Sequence, residues 1–287
     1  MVSAFDLFIG IDYSGARTPT CRLKELQVYA AKPGAQPAKV YSPVSSNNKM
    51  PWNWTRAEIA AHLIELARQG ARYIAGIDHG FSFPVSYFER YHLKSWPEFL
   101  DDFVRYWPTD SDHVYAEFVR DGNLARKGGP APGARIGKAT EFRLCERWTS
   151  SARSVFHFDV QGSVAKSTHC GIPWLKRIRA AVGDRVHIWP FDGWTPVQGK
   201  AVIAEVYPSI FRNRYPRQKR SADEHDAHAV SRWLAESAAR GVLGRYFDPP
   251  LTVHERACHR PAYWSHFVIG IKEPGRDRHI GASAGSA

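Results

Sequence analysis

Two short apolar runs of the sequence end in the same tripeptide, Gly-Ile-Asp. The first run covers residues 7–11 and is followed by Asp12, and the second covers residues 73–77 and is followed by Asp78. Both runs are short, β-branched and bounded by turn residues, which predicts buried strands rather than helices. An aspartate at the exit of a buried strand needs a partner, a proton or a metal ion. If the two strands are neighbours, the two acids repel each other and favour a divalent cation.

The rest of the hydrophobic pattern predicts an antiparallel meander followed by alternating helices and strands. Residues 25–31 and 38–41 are expected to be extended, and Pro33-Gly34 between them indicates a hairpin. A helix is predicted to begin at Thr55, which forms a capping box with Glu58, and to lead into the second Gly-Ile-Asp strand. The later elements predicted are helices over residues 141–148 and 174–182, strands over residues 186–189 and 202–206, and an edge strand over residues 263–271.

The longest predicted helix covers residues 222–240, with a capping box formed by Ser221 and Glu224, and its first turns carry two aspartates. Asp223, Asp226, Val230 and Trp233 are three or four residues apart and therefore share one face. Because this face is apolar further along, it is expected to pack on the sheet and to direct both carboxylates toward it. Residues three apart on a helix are about 5–6 Å apart, so the two acids can bind one cation. Alternatively, they serve only the helix dipole.

Composition and charge restrict the classes of function. The 287 residues, of which 44% are hydrophobic, predict one folded domain over residues 1–270 with an aromatic and basic insertion at about residues 84–140 and a flexible tail over residues 271–287. No run of eighteen apolar residues indicates a membrane span. Four widely spaced cysteines without a CxxC pair favour reduced thiols and a cytoplasmic protein. The net charge of +11 suits a nucleic-acid partner, although solubility alone also explains it.

Two basic segments are candidate phosphate-binding surfaces. Residues 212–220 carry five cations in nine positions directly before the acidic helix, and residues 121–138 form a glycine-rich segment that is expected to be a mobile loop. Cations beside a metal site would neutralise phosphates, whereas a plain solvated loop is the alternative for the first segment. The candidate residues are Arg212, Arg214, Arg217, Lys219, Arg220, Arg126, Lys127, Arg135 and Lys138.

One glutamate and three histidines are further candidates. Glu205 ends a predicted strand, where it can be a metal ligand, a general base or the partner of an arginine in the segment that follows. His79 follows Asp78, and His225 and His228 flank the second aspartate of the acidic helix. Each histidine can transfer protons or serve only in packing or capping.

The four aspartates Asp12, Asp78, Asp223 and Asp226 together predict a metal site. Hard carboxylate oxygens without a nearby cysteine select Mg²⁺ or Mn²⁺ over zinc. Such a cluster suits two-metal phosphodiester hydrolysis, in which one ion lowers the pKa of an attacking water and the other stabilises the leaving oxygen. Glu205 is the remaining candidate for a catalytic role.

The order of elements and four short motifs resemble a known superfamily. Three antiparallel strands, a helix, a parallel strand and a late Asp-x-x-Asp helix resemble the ribonuclease H-like fold and, distantly, its Holliday-junction resolvases. Residues 10–12, 77–78, 204–208 and 223–227 more closely resemble the family called domain of unknown function 429, whose members are predicted RNase H-like nucleases. The resemblance implies an α/β fold with a mixed five-stranded sheet, three antiparallel strands and then parallel strands, flanked by helices and carrying insertions.

The same resemblance implies roles for the acids. Asp12, Asp78 and Asp226 would be the central metal ligands, and Asp223 would assist them. The leading hypothesis is an Mg²⁺- or Mn²⁺-dependent nuclease with an unassigned substrate. An actin-like phosphotransferase is a second hypothesis, because Asp12-x-x-Gly15 weakly resembles a phosphate loop, but the sequence contains one copy of the core where that class has two. A non-catalytic nucleic-acid-binding scaffold is the third.

Overall fold

The computed structural model describes residues 4–43, 53–129, 135–149, 152–249 and 251–252, and these residues form an α/β fold around a mixed sheet. The sheet has six strands rather than the predicted five, in the order β3-β2-β1-β4-β6-β5. The predicted edge strand over residues 263–271 and the predicted tail lie outside the described residues. The strands are β1 Leu7–Asp12, β2 Gln27–Ala31, β3 Ala38–Lys39, β4 Tyr73–Ile77, β5 Val186–Trp189 and β6 Ala201–Glu205.

The sheet begins antiparallel and continues parallel, as predicted. Strand β2 is antiparallel to both β1 and β3, whereas β4 is parallel to β1 and β6 is parallel to both β4 and β5. The predicted Pro33-Gly34 turn joins β2 to β3: the Ala35 N–H donates to the Lys32 carbonyl at 3.0 Å, and Gly34 has a φ of 77°. Only glycine adopts such a φ without strain, which explains its place in this turn.

Helices cover both faces of the sheet. Helix α8 packs on β1 and β2, and α1 packs on α7, which also contacts α3. Each face has its own apolar core. The helices are α1 Arg56–Arg68, α2 Val85–Arg90, α3 Trp96–Tyr106, α4 Ala116–Arg120, α5 Asn123–Arg126, α6 Leu144–Trp148, α7 Ala165–Val182 and α8 Ala222–Ala239, with 3₁₀ turns at Gly183–Arg185, Pro208–Ile210, Arg212–Arg214 and Leu243–Phe247.

Both predicted capping boxes are confirmed, at Thr55 with Glu58 and at Ser221 with Glu224. The short helix α5 lies inside the segment predicted to be a loop over residues 121–138, of which residues 130–134 lie outside the described part. In the part of the chain that the structure describes, no helix is long and apolar enough to cross a membrane.

Helix α7 begins at Ala165, nine residues earlier than predicted. The prediction placed Pro173 before the helix, because proline removes a backbone donor and usually ends a helical pattern. Here Pro173 lies inside the helix. The carbonyl of His169, four residues earlier, lacks a helical donor for this reason and accepts a hydrogen bond of 2.6 Å from Thr109 Oγ1. A side chain from the insertion therefore makes the internal proline tolerable.

Candidate functional site

Two glycines allow α8 to lie directly on the sheet. Gly10 and Gly76 are aligned on β1 and β4. A Cβ atom at Gly10 would lie 2.1 Å from the Ala227 carbonyl oxygen, and one at Gly76 would lie 2.8 Å from Val230 Cγ1. In addition, Ser231 Oγ donates to the Phe8 carbonyl at 2.8 Å. The glycine of each Gly-Ile-Asp tripeptide thus makes room for the helix that carries the other two aspartates.

The aspartates of the two tripeptides leave the sheet side by side. Ile11 and Ile77 are paired, and the Asp78 N–H continues the ladder by donating to the Ile11 carbonyl at 2.9 Å. The carboxyl groups of Asp12 and Asp78 are close enough to hydrogen-bond to each other. The prediction that the doubled tripeptide marks neighbouring strands is therefore confirmed. The two carboxyl groups lie together at the carboxyl ends of two central strands.

This pair is electrostatically costly. Burial raises the pKa of Asp12 well above its usual value, and the charges of Asp78, Asp226 and Asp223 raise it further. Burial, followed by the charges of Asp226 and Glu205, raises the pKa of Asp78 to about 8. Two acids that share a site titrate as a unit, so the pair retains a proton at neutral pH. A cation placed between them would replace that proton.

The two aspartates of α8 occupy different positions around this pair. Asp226 lies in the second turn, its side chain is 16% exposed, and its Oδ2 accepts a hydrogen bond of 3.2 Å from Arg212 Nη1. Burial raises the pKa of Asp223, and the largest charge effect on it comes from Glu25, ahead of Asp226. Asp226 therefore belongs to the centre of the cluster, and Asp223 to its outer side.

Glu205 is held in a buried ion-pair network. Arg143 Nη1 and Nη2 donate to its two carboxylate oxygens at 2.7 and 2.8 Å, and the Phe81 N–H donates to Oε2 at 2.9 Å. Arg143 Nε also donates to Glu146 at 3.0 Å. Glu205 thus does pair with an arginine, but with one that precedes it by 62 residues rather than one in the segment that follows. Its oxygens are engaged by these donors, which favours a structural role.

The three candidate histidines are all buried in contacts of their own. The ring of His79 packs 4.6 Å from that of Tyr13, and burial lowers the pKa of His79 to about 4. His225 Nε2 donates to the backbone carbonyl of Arg212 at 3.0 Å. Burial also lowers the pKa of His228 to about 4. These contacts favour packing and anchoring, and proton transfer stays a prediction.

The four acids have the oxygen chemistry that a hard divalent cation requires, but three of their side chains are not gathered around one point. All four are carboxylates, the oxygen ligands that Mg²⁺ and Mn²⁺ prefer. Among the described residues, however, no three His, Cys, Asp or Glu side chains are gathered closely enough to hold one ion. Asp12 and Asp78 are adjacent, whereas Asp226 is bound to Arg212. Asp226, the third candidate ligand, is thus near the pair, but its carboxylate is paired with the guanidinium of Arg212.

The basic segment over residues 212–220 lies beside the acids. Arg217 Nε donates to the Arg220 carbonyl at 2.9 Å, and Arg220 Nη2 donates to the Pro216 carbonyl at 2.7 Å, so these two arginines shape the loop. Arg214 and Lys219 are exposed. Arg212 of this segment contacts Asp226, while the binding of phosphate by the segment stays a prediction.

The basic residues of the insertion are engaged in local contacts. Arg135 donates to both carboxylate oxygens of Asp102 at 2.7 and 3.0 Å and lies 4.3 and 4.4 Å from two tyrosine ring centroids. Arg126 donates to Asn123 Oδ1 at 3.4 Å, Lys127 Nζ lies 5.2 Å from the ring centroid of Phe118, and Lys138 is exposed. These contacts favour a structural role for Arg135, and its binding of phosphate stays a prediction.

A cavity adjoins the acid cluster. It has a volume of about 410 Å³, including space open to solvent, and Asp78, Glu205 and Arg143 contribute to its wall. The exposed Arg153 lines it as well. The sequence gives no local sign of this cavity or of Arg143, because the residues that form them come from distant segments.

The chain matches no family model, no curated protein and no solved structure. The resemblance to RNase H-like predicted nucleases therefore depends on the order of elements and the four short motifs, and it stays a prediction.

Proposed function

We propose that this protein is an Mg²⁺- or Mn²⁺-dependent nuclease with a ribonuclease H-like core. The antiparallel start and parallel continuation of the sheet agree with that fold, and so does the late helix that carries Asp223 and Asp226. The basic segment over residues 212–220 lies where a nucleic-acid backbone would pass the acids.

The observation that carries the proposal is the pair formed by Asp12 and Asp78. Two carboxyl groups buried side by side destabilise the fold unless a proton or a cation neutralises them. A fold that retains such a pair at the carboxyl ends of two central strands, with two more acids on the packed helix, has the donors for a hard cation. Glu205 and Arg143 line the adjoining cavity together with Asp78.

The residues of the chain would divide the work as follows. Asp12, Asp78 and Asp226 would hold the cation, and Asp223 would support them from the outer side. A bound Mg²⁺ or Mn²⁺ would supply an activated water and charge stabilisation at the leaving oxygen. Exposed cations of the basic segment, such as Arg214, would neutralise flanking phosphates.

Cleavage assays on labelled branched DNA, duplex DNA and RNA–DNA hybrid test this function. We expect cleavage of at least one substrate with Mn²⁺ and none with EDTA, and a loss of about 100-fold or more in Asp12→Asn and Asp226→Asn. Asp184→Asn is the matched control, because Asp184 is an exposed acid paired with Lys200. The proposal is wrong if wild type cleaves none of them and neither variant changes Mn²⁺ affinity.

The other hypotheses have distinct outcomes in the same experiment. Nucleic-acid binding that neither Mn²⁺ nor the two variants affect would indicate a scaffold. Turnover of ATP with a sugar or acid acceptor would indicate a phosphotransferase.

A further inference from the structure

Arg212 occupies the place of a counter-ion at the acid cluster. Its Nη1 donates to Asp226 Oδ2 at 3.2 Å. It is also the cation whose charge lowers the pKa of Asp78. One guanidinium thus acts on two of the three acids to which we assign the metal.

The backbone of Arg212 is anchored, whereas its side chain is partly exposed to solvent. His225 in the first turn of α8 is 7% exposed, and its Nε2 donates a hydrogen bond of 3.0 Å to the Arg212 carbonyl. The Arg212 side chain itself is 46% exposed. Partly exposed ion pairs contribute little net free energy, because water competes for both charges. The contact with Asp226 can therefore break without disturbing the backbone that carries it.

Neighbouring arginines are not placed for the same role. Arg217 and Arg220 donate to carbonyls of their own loop. Arg214 is exposed, and among the described residues of this loop it is Arg212 whose side chain contacts an acid of the cluster. The direct contact is therefore made by one residue, although the charge of Arg217 also opposes the rise that burial causes in the pKa of Asp226.

We propose that Arg212 is an exchangeable counter-ion, which neutralises Asp226 until a divalent cation binds and then moves to a phosphate group of the nucleic acid. The exchange is consistent with the contact between Asp226 and Arg212, in a structure whose described residues contain no close group of three metal ligands. It makes cation binding and phosphate binding favour each other, since each ligand removes the competitor of the other. This inference rests on the proposed function, because it assumes that a cation binds to the acids.

The first test measures cation affinity by calorimetry with Ca²⁺ and with Mn²⁺. Arg212→Gln should bind either cation about 3- to 10-fold more tightly than wild type, because the competing charge is gone. Arg214→Gln removes the same charge two residues away and should change affinity by less than about twofold. Equal effects of the two substitutions would show a general charge effect and overturn the exchange.

The second test measures binding of fluorescent duplex DNA in EDTA and in Ca²⁺, which avoids dependence on cleavage. Arg212→Gln should weaken binding by about fivefold or more in Ca²⁺ and by less than about twofold in EDTA, where Asp226 already holds the arginine. Arg214→Gln should weaken binding equally in both. Equal weakening by Arg212→Gln in both conditions would make it an ordinary phosphate contact and overturn the exchange.

A third arm separates this inference from the proposed function. Asp226→Asn should tighten DNA binding in EDTA by releasing Arg212, and the double variant with Arg212→Gln should lose that gain. Asp223→Asn is the charge-matched control on the same helix. If wild type binds no cation, the proposed function fails. If the gain from Asp226→Asn survives in the double variant, the exchange fails even where the cation binds.

Discussion

At the scale of single residues, Asp12 and Asp78 are the least favourable feature of the fold. Each is an ordinary acid made costly by its position at the end of a buried strand beside another acid. Natural folds retain such groups where function requires them, and strongly shifted pKa values cluster at functional sites for that reason. The free-energy cost of burying this pair should appear in the pH dependence of stability.

The pH dependence of stability in EDTA should report this pair. The pKa of Asp78 rises from 3.8 to about 8 on folding, so the folded protein holds the proton more tightly than the unfolded chain. The free energy of unfolding should therefore fall as pH rises between these values. Asp78→Asn should be more stable than wild type at pH 8 by about 1–3 kcal/mol, a difference that shrinks toward pH 5. Urea unfolding at several pH values measures it.

The control for this prediction is Asp184→Asn. The hydrogen bond and charge of Lys200 lower the pKa of Asp184, so its replacement should not remove the slope. Parallel stability curves for wild type and Asp78→Asn between pH 5 and pH 8 would contradict the assignment of the raised pKa.

Arg143 should be far more important for stability than a surface arginine. Arg143→Met would leave Glu205 and Glu146 buried without their partner, which should cost about 3–5 kcal/mol in the free energy of unfolding. Arg72→Met, which breaks an exposed pair with Asp6, should have little effect. Urea denaturation compares the two variants.

A variant in the same ion-pair network tests the role of Glu205. If its role is structural, Glu205→Gln should lower stability while Mn²⁺ affinity changes by less than about twofold. Loss of Mn²⁺ affinity with full stability would instead make Glu205 a metal ligand.

At the scale of secondary structure, the distance between α8 and the sheet depends on two glycines. Gly10→Ala would place a methyl group 2.1 Å from the backbone oxygen of Ala227, which cannot move without shifting the helix. Gly76→Ala meets valine side chains at 2.6 and 2.8 Å, which can adjust in part. Gly10→Ala should therefore cost at least about 2 kcal/mol of stability, and more than Gly76→Ala.

Gly244→Ala is the matched control for this series, because nothing lies within 4 Å of the added methyl group. Thermal unfolding of the three variants should rank them in the order Gly10, Gly76, Gly244 from most to least destabilised. A Gly10→Ala protein as stable as Gly244→Ala would show that α8 does not need this close approach.

Local signals made several elements predictable from the sequence. The two capping boxes, the Pro33-Gly34 turn and the short β-branched runs each depend on residues a few positions apart. Helix α7 was predicted too short because its first turn lacks a capping side chain and Pro173 imitates a helix start. The hydrogen bond that compensates for this proline comes from Thr109, which no local pattern can reveal.

The site was predictable in part for the same reason. Asp12 and Asp78 could be placed together because they follow the same tripeptide on two expected neighbouring strands. The pairing of Glu205 with Arg143, 62 residues apart, depends on how the segment before α6 folds over the sheet. The contact of Arg212 with Asp226 depends on the 3₁₀ turn Arg212–Arg214, which the charge pattern alone does not show.

At the scale of the whole molecule, the arrangement of charge is consistent with a single functional site at the carboxyl ends of β1 and β4. The net charge is +11, yet four acids lie close together. Asp12 and Asp78 lie at the carboxyl ends of β1 and β4, and Asp223 and Asp226 of α8 lie near them. The basic segment before α8 lies next to these acids. In the proposed function, the net positive charge would attract a polyanion, and a bound cation would let its phosphates approach the acids.

The central claim is that Asp12, Asp78 and Asp226 form one divalent-cation site. Crystals soaked in Mn²⁺ and measured at the manganese absorption edge test it most directly. We predict an anomalous peak between these three carboxylates, with Arg212 moved away from Asp226, and no such peak in Asp12→Asn crystals. A soaked wild-type crystal without a peak there, with Asp226 still bound to Arg212, would contradict the claim.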